Sequence, residues 1–164
     1  MSAPRWLTPQ DGEAIHDLVL ALSGGPAGTR DAGGLASALA RARWVWRFEP
    51  GGRGPARWAK AAAVHLIGVA RAHAFVDGNK RAGYATAVAF LAVNEWKVAA
   101  KDGDVVPFVV AAAQGHVPPE EAAGWFLARM SKPRRPPRRA PGSRRKPRSA
   151  ARRASRARRP RQGE

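Results

Sequence analysis

The sequence predicts an all-α protein: a compact bundle of about six helices followed by a disordered basic arm. Three observations predict it. Apolar residues recur at helical spacing in most segments as far as Met130, many of those segments open on a capping residue or a proline, and the connections between them are short. Beyond Ser131 the large apolar residues stop, and Pro, Arg, Ala, Ser and Gly take over.

The first helix opens at Thr8-Pro9, a cap residue followed by proline at the first helical position, with Asp11 and Glu13 placing negative charge near the positive helix end. Ile15, Leu18, Val19 and Leu22 keep helical spacing until Gly24-Gly25-Pro26 stops the run. A second helix starts at Asp31 and runs through Leu35, Leu39 and Ala42. From Arg43 to Gly54 the pattern changes: Trp44, Trp46 and Phe48 alternate with Val45, Arg47 and Glu49 before the turn Pro50-Gly51-Gly52. Period-two alternation reads either as a short β-hairpin flap or as an aromatic-rich loop packed on the core.

Pro55 to Ala72 is a long Ala-rich buried helix, and Asn79 to Trp96 is another, rich in small residues that let helices approach closely. Asp102 or Asp104 is expected to cap a helix through Phe108 to Ala113, and Pro118-Pro119-Glu120-Glu121 begins the last one, anchored by Trp125, Phe126 and Leu127.

The 164 residues carry 29 Lys and Arg against 12 Asp and Glu, a formal net charge of +17. Fifteen of those cations and a single acid lie from Lys132 to Glu164, which leaves 14 basic and 11 acidic residues in the domain at 1–131. The domain is nearly neutral, and the tail at 132–164 holds the charge. Such an arm cannot bury enough surface to offset the entropy of ordering. It would attract RNA or DNA by counterion release, without sequence preference, because it has no aromatic residue for base stacking. The chain contains no cysteine, which excludes disulfides and thiolate metal sites. Met1 to Gln10 has one Arg and no signal-like apolar run, and no stretch approaches the roughly 18 apolar residues that span a bilayer. A cytoplasmic protein is expected, with no membrane partner.

The polar interruption between the two Ala-rich helices, His73 to Arg81, reads HAFVDGNKR. It places an imidazole, a carboxylate, a glycine, an amide and two cations at a helix–loop–helix junction. A helix beginning there directs free backbone amides into the same space, which makes an anion site. Lys80 and Arg81 in a first helical turn oppose the helix dipole, a cost of roughly 0.3–1 kcal/mol each that a bound polyanion would reverse. Asp77 could hold Mg²⁺ bridging phosphate oxygens. The His73 imidazole could accept a proton from an attacking hydroxyl. Phe75 would pack inward and fix the loop. A base, a metal ligand and a positive cradle are the parts that phosphoryl or nucleotidyl transfer requires. Arg71 is open to two readings, a site residue or the cation that completes the C-terminus of the preceding helix. His16, His65 and His116 share no metal-ligand spacing and are expected to be surface or core residues.

HAFVDGNKR resembles the signature of the Fic/Doc superfamily, and its Lys80 matches the Doc (death-on-curing) branch. The wider superfamily has glycine at the Lys80 position and often a second arginine where this chain has Tyr84, so both departures point away from adenylyl transfer. The resemblance extends from Leu7 to Met130, weakly outside the motif, and includes FLAVNEWKV from Phe90 to Val98. It implies an all-α toxin of a toxin–antitoxin pair that uses ATP and Mg²⁺ to phosphorylate a threonine of elongation factor Tu. By position it implies His73 as catalytic base, Asp77 as metal ligand, Gly78 and Asn79 in the anion-binding loop, and Lys80 and Arg81 on the phosphates. It would also make Trp44–Phe48 a counterpart of the flap that docks the target. The chain has no internal inhibitory helix of the Ser/Thr-x-x-x-Glu-Gly/Asn type, which implies control by a separate antitoxin protein. Two alternatives stand beside the kinase: a protein adenylyltransferase on the same site, and a catalytically silent protein that binds nucleic acid through its tail.

Overall fold

The computed structural model describes residues 3–49 and 53–133. Their six helices are α1 (Pro9–Ser23), α2 (Ala32–Phe48), α3 (Pro55–Ala72), α4 (Asn79–Val93), α5 (Asp102–Gln114) and α6 (Pro119–Arg129). Two-residue strands β1 (Lys97–Val98) and β2 (Met130–Ser131) pair antiparallel, Lys97 opposite Ser131. The all-α expectation holds. The tail expected at 132–164 lies outside the described residues from position 134 onward, and the turn Pro50-Gly51-Gly52 lies outside them altogether.

Helix α3 is the central member and packs against α2, α4, α5 and α6. Its sequence explains that place. Ala59, Ala61, Ala62 and Ala63 are buried, and their short side chains let neighbours approach, while Trp58, Leu66 and Val69 fill the spaces between. Where α4 crosses α3, Gly83 faces Leu66 and Ala70 so closely that a Cβ there would come within 2.7 Å of the Leu66 carbonyl oxygen. The start of α1 follows from its cap: the Thr8 hydroxyl accepts from the Asp11 N–H, and the Asp11 carboxylate accepts in turn from the Thr8 N–H.

The structure corrects three local expectations. Trp44–Phe48 is neither a β-hairpin flap nor a loop but the last turns of α2. The alternation in residue size misled, because burial follows Leu35, Ala38, Leu39, Ala42 and Val45, a 3.6-residue stripe that continues through the aromatic stretch. Trp44 and Phe48, one turn apart, lie on the outer face, while Trp46 packs on Trp6 and Trp58. Helix α4 ends at Val93 rather than Trp96. Asn94 breaks it, its amide holding the Arg5 N–H, the Arg5 carbonyl and the Phe90 carbonyl, and Glu95 turns left-handed at φ 66°. Finally, Lys101 is the N-cap of α5, so neither Asp102 nor Asp104 caps it. Both sit in its first turn, where their charge favours the dipole.

Candidate active site

The nine residues of the motif form the turn from α3 into α4. His73 ends α3 in the left-handed conformation, φ 50° and ψ 33°, which reverses the chain and leaves the imidazole exposed. Ala74 and Phe75 then pass through the interior, both buried. A second loop clamps this stretch: the Arg30 and Asp31 N–H groups donate to the Ala74 carbonyl, and the Val76 N–H donates to the Gly28 carbonyl at 2.9 Å. Thr29 and Phe75 form an isolated antiparallel bridge.

Asn79 closes the turn on itself. Its Oδ1 accepts from the Phe75 N–H and its Nδ2 donates to the Phe75 carbonyl, both at 2.9 Å. The Asn79 side chain is therefore a structural brace, and what this residue can offer a ligand is its backbone N–H. Gly78 precedes it as the N-cap of α4, left-handed at φ 77°, a conformation glycine adopts without steric cost. No side chain caps the helix. The N–H groups of Gly78, Asn79, Lys80 and Arg81 have no acceptor among the described residues, so the positive end of α4 stays open.

That end borders a groove of about 1160 Å³. His73, Asp77, Gly78, Asn79, Lys80 and Arg81 all line it, together with Tyr84 one turn further along α4. Its other walls are apolar: Val19 and Leu22 from α1, and Val105, Val106, Val109 and Val110 from α5. Leu22 and Val106 are 82% and 62% exposed, so the lips of the groove present hydrocarbon to solvent. Tyr84 is half-buried, and burial followed by the nearby Asp102 carboxylate raises its pKa.

Charge in the groove is arranged by α1. Arg81 Nη2 donates to Asp77 Oδ2 at 2.9 Å, while its Nη1 donates to the Gly24 carbonyl at 2.8 Å and to the Ser23 hydroxyl. The residues that stop α1 thus hold the guanidinium. Gly25 beside them holds φ 124°, a conformation that other residues rarely adopt, and a Cβ there would push on the Asp77 carboxylate that Arg81 holds. Lys80 is exposed, and no salt bridge involves it among the described residues.

Two residues outside the motif resolve readings that the sequence left open. Arg71 does not line the groove. It occupies the last turn of α3 with its guanidinium toward Gly115 at the end of α5, which favours the helix-end reading. His16 is buried, as one of the two expectations for it had it, yet it also touches the motif: Nε2 lies 2.8 Å from the Asp77 carbonyl oxygen.

A positive helix end, an exposed imidazole and an ion-paired carboxylate thus surround one groove. Residues 6–91, just over half of the chain, match the Fic/DOC family, to which the chain therefore belongs. A curated relative, Toxin Doc of Mycolicibacterium smegmatis, is 45% identical over 83 residues, which cover 50% of this chain and 60% of the relative. No helix among the described residues is long and apolar enough to cross a membrane.

Proposed function

We propose that this protein is a Doc-type toxin, a protein kinase that transfers the γ-phosphate of ATP to a hydroxyl of a protein target, a threonine of elongation factor Tu, and so stops translation in the cytoplasm. The observation that carries the reading is the uncapped, glycine-led start of α4 beside the exposed His73 imidazole. The likeness to Toxin Doc supports the toxin reading, and a separate antitoxin protein is its proposed partner.

In this scheme the phosphates lie against the N–H groups of Gly78, Asn79, Lys80 and Arg81, where the helix dipole and both side-chain cations balance their charge. Preorganised donors of this kind favour the transition state because they need no rearrangement as charge develops. The target hydroxyl attacks the γ-phosphorus, its proton passes to an imidazole nitrogen of His73, and the bond from phosphorus to the β–γ bridging oxygen breaks to release ADP. Lys80 places a second full charge at the cradle and favours holding the terminal phosphate there. The valine wall across the groove offers the apolar contact that a nucleoside or a docked target side chain would use.

The site fits a magnesium ion delivered with its nucleotide. No three acidic or imidazole groups gather to hold a metal among the described residues. Mg²⁺ would instead need only one or two carboxylates beside phosphate oxygens and water, and Asp77, which lines the groove next to the α4 start, would hold it. Once bound, the ion would neutralise charge on the phosphates.

Mass spectrometry of elongation factor Tu incubated with the protein, ATP and Mg²⁺ tests the proposal. A gain of one phosphate on a threonine is expected. A gain of adenylate moves the assignment to adenylyl transfer, and no modification removes this target.

A further inference from the structure

The reaction scheme leaves one buried polar side chain at the site unused, His16. It lies midway along α1, 1% exposed, with its ring flat on Phe75: the centroids are 3.8 Å apart and the planes differ by 2°. Its Nε2 meets the carbonyl oxygen of Asp77 at 2.8 Å. A carbonyl only accepts, so Nε2 must carry the proton and His16 is the donor.

The consequence falls on the next amide. Among the described residues no peptide bond is cis, and in a trans peptide the C=O and N–H of one plane point in opposite directions. With the Asp77 carbonyl drawn toward α1, the Gly78 N–H is turned away from α1. It joins the free N–H groups of Asn79, Lys80 and Arg81 at the start of α4. Gly78 itself offers little resistance to rotation of that plane, because glycine tolerates both signs of φ. In the flipped state a carbonyl oxygen would stand among the donors, opposing an anion. Something outside the loop must choose between the two orientations, and the His16 N–H is the group bonded to that carbonyl.

We infer that His16 is a positioning residue. Its Nε2–H fixes the Asp77–Gly78 peptide so that the Gly78 N–H faces a polyphosphate, and its stacking on Phe75 fixes the ring that does so. This rests on the reading of the α4 start as an anion site given above.

The test uses the full chain and inorganic tripolyphosphate as probe, with binding followed by calorimetry and folding by thermal unfolding. His16→Phe keeps an aromatic ring against Phe75 and removes the donor, and His16→Gln restores an N–H at similar reach. The expected result is binding weakened about tenfold in His16→Phe and largely recovered in His16→Gln. Equal binding by the wild type and His16→Phe overturns the inference while leaving the anion site intact. No binding by the wild type overturns the anion site and the inference with it. If His16→Phe does not fold, nitrogen NMR of the wild type decides: His16 must be protonated at Nε2, and the Gly78 amide must shift on adding tripolyphosphate. An unprotonated Nε2 at neutral pH, or a Gly78 amide that ignores the probe while its neighbours shift, overturns it.

Discussion

Arg81 reaches back one turn to Asp77, Nη2 to Oδ2 at 2.9 Å, and with its other nitrogen grips the Gly24 carbonyl at 2.8 Å. The pair ties the first turn of α4 to the end of α1. It also sets the charge that a ligand meets, since a phosphate that engages Arg81 competes with Asp77 and frees that carboxylate to meet a cation. The contact thereby links the two roles proposed for these residues.

Because both partners are about two-fifths exposed, at 38% and 45%, the pair should contribute under about 1 kcal/mol to folding. Arg81→Ala should leave the unfolding midpoint nearly unchanged and lower phosphoryl transfer by roughly 100-fold. Urea titration and label transfer on one preparation check this. A large loss of stability would make Arg81 structural.

His73 is exposed and takes part in no hydrogen bond among the described residues. His73→Ala should therefore fold normally and bind ATP as before, yet lose transfer by about 10²–10⁴-fold, the range for removal of a general base. Unchanged turnover with full folding would exclude it as the base.

At Gly83 α4 lies against the backbone of α3, with Leu66 oxygen 2.7 Å and Ala70 nitrogen 3.0 Å from an added Cβ. Both are backbone atoms and cannot swing aside. Gly83→Ala should cost about 1–3 kcal/mol despite the better helix propensity of alanine. Since α3 presents His73 and α4 presents Lys80, activity should fall with it. Chemical denaturation of the variant checks the first effect and transfer kinetics the second.

His65, on α3, is buried between Trp6 and Phe90 with neither ring nitrogen hydrogen-bonded. Burial, and then the charge of Arg43, push its pKa down to about 3 from an ordinary value of 6.5. The folded state therefore binds this proton less readily than the unfolded chain, and stability falls as pH drops from 6.5 toward 3. At about 1.4 kcal/mol per pH unit, pH 5 should cost about 2 kcal/mol relative to pH 7. His65→Leu should remove that slope, as read by urea unfolding across the range. The same slope in both proteins would exclude His65 as its source.

The helices were legible because their punctuation is local: Thr8-Pro9, Asp31, Pro55 and Pro118-Pro119 each mark a start within a few residues. The end of α2 was misread for a reason of scale. Three large aromatics dominated the alternation, while the stripe that decided the fold consisted of smaller Leu, Ala and Val side chains. Non-local pairings left no mark on the sequence. Lys97 meets Ser131, and Thr29 bridges to Phe75, through backbone groups that any residue carries. The contact of His16 belongs to the same class, since its partner is a carbonyl oxygen 61 positions away. The motif itself was legible as chemistry because five functional side chains, those of His73, Asp77, Asn79, Lys80 and Arg81, fall within nine residues. Its geometry was not, since it depends on Ser23, Gly24 and Gly25 at the end of α1.

The most direct test of the whole account is parallel incubation of elongation factor Tu with γ-labelled and α-labelled ATP. Transfer of label from the γ position alone, abolished in His73→Ala, is the predicted result. Transfer of the α label would show that the nucleotide sits the other way round in the groove and contradict the kinase assignment.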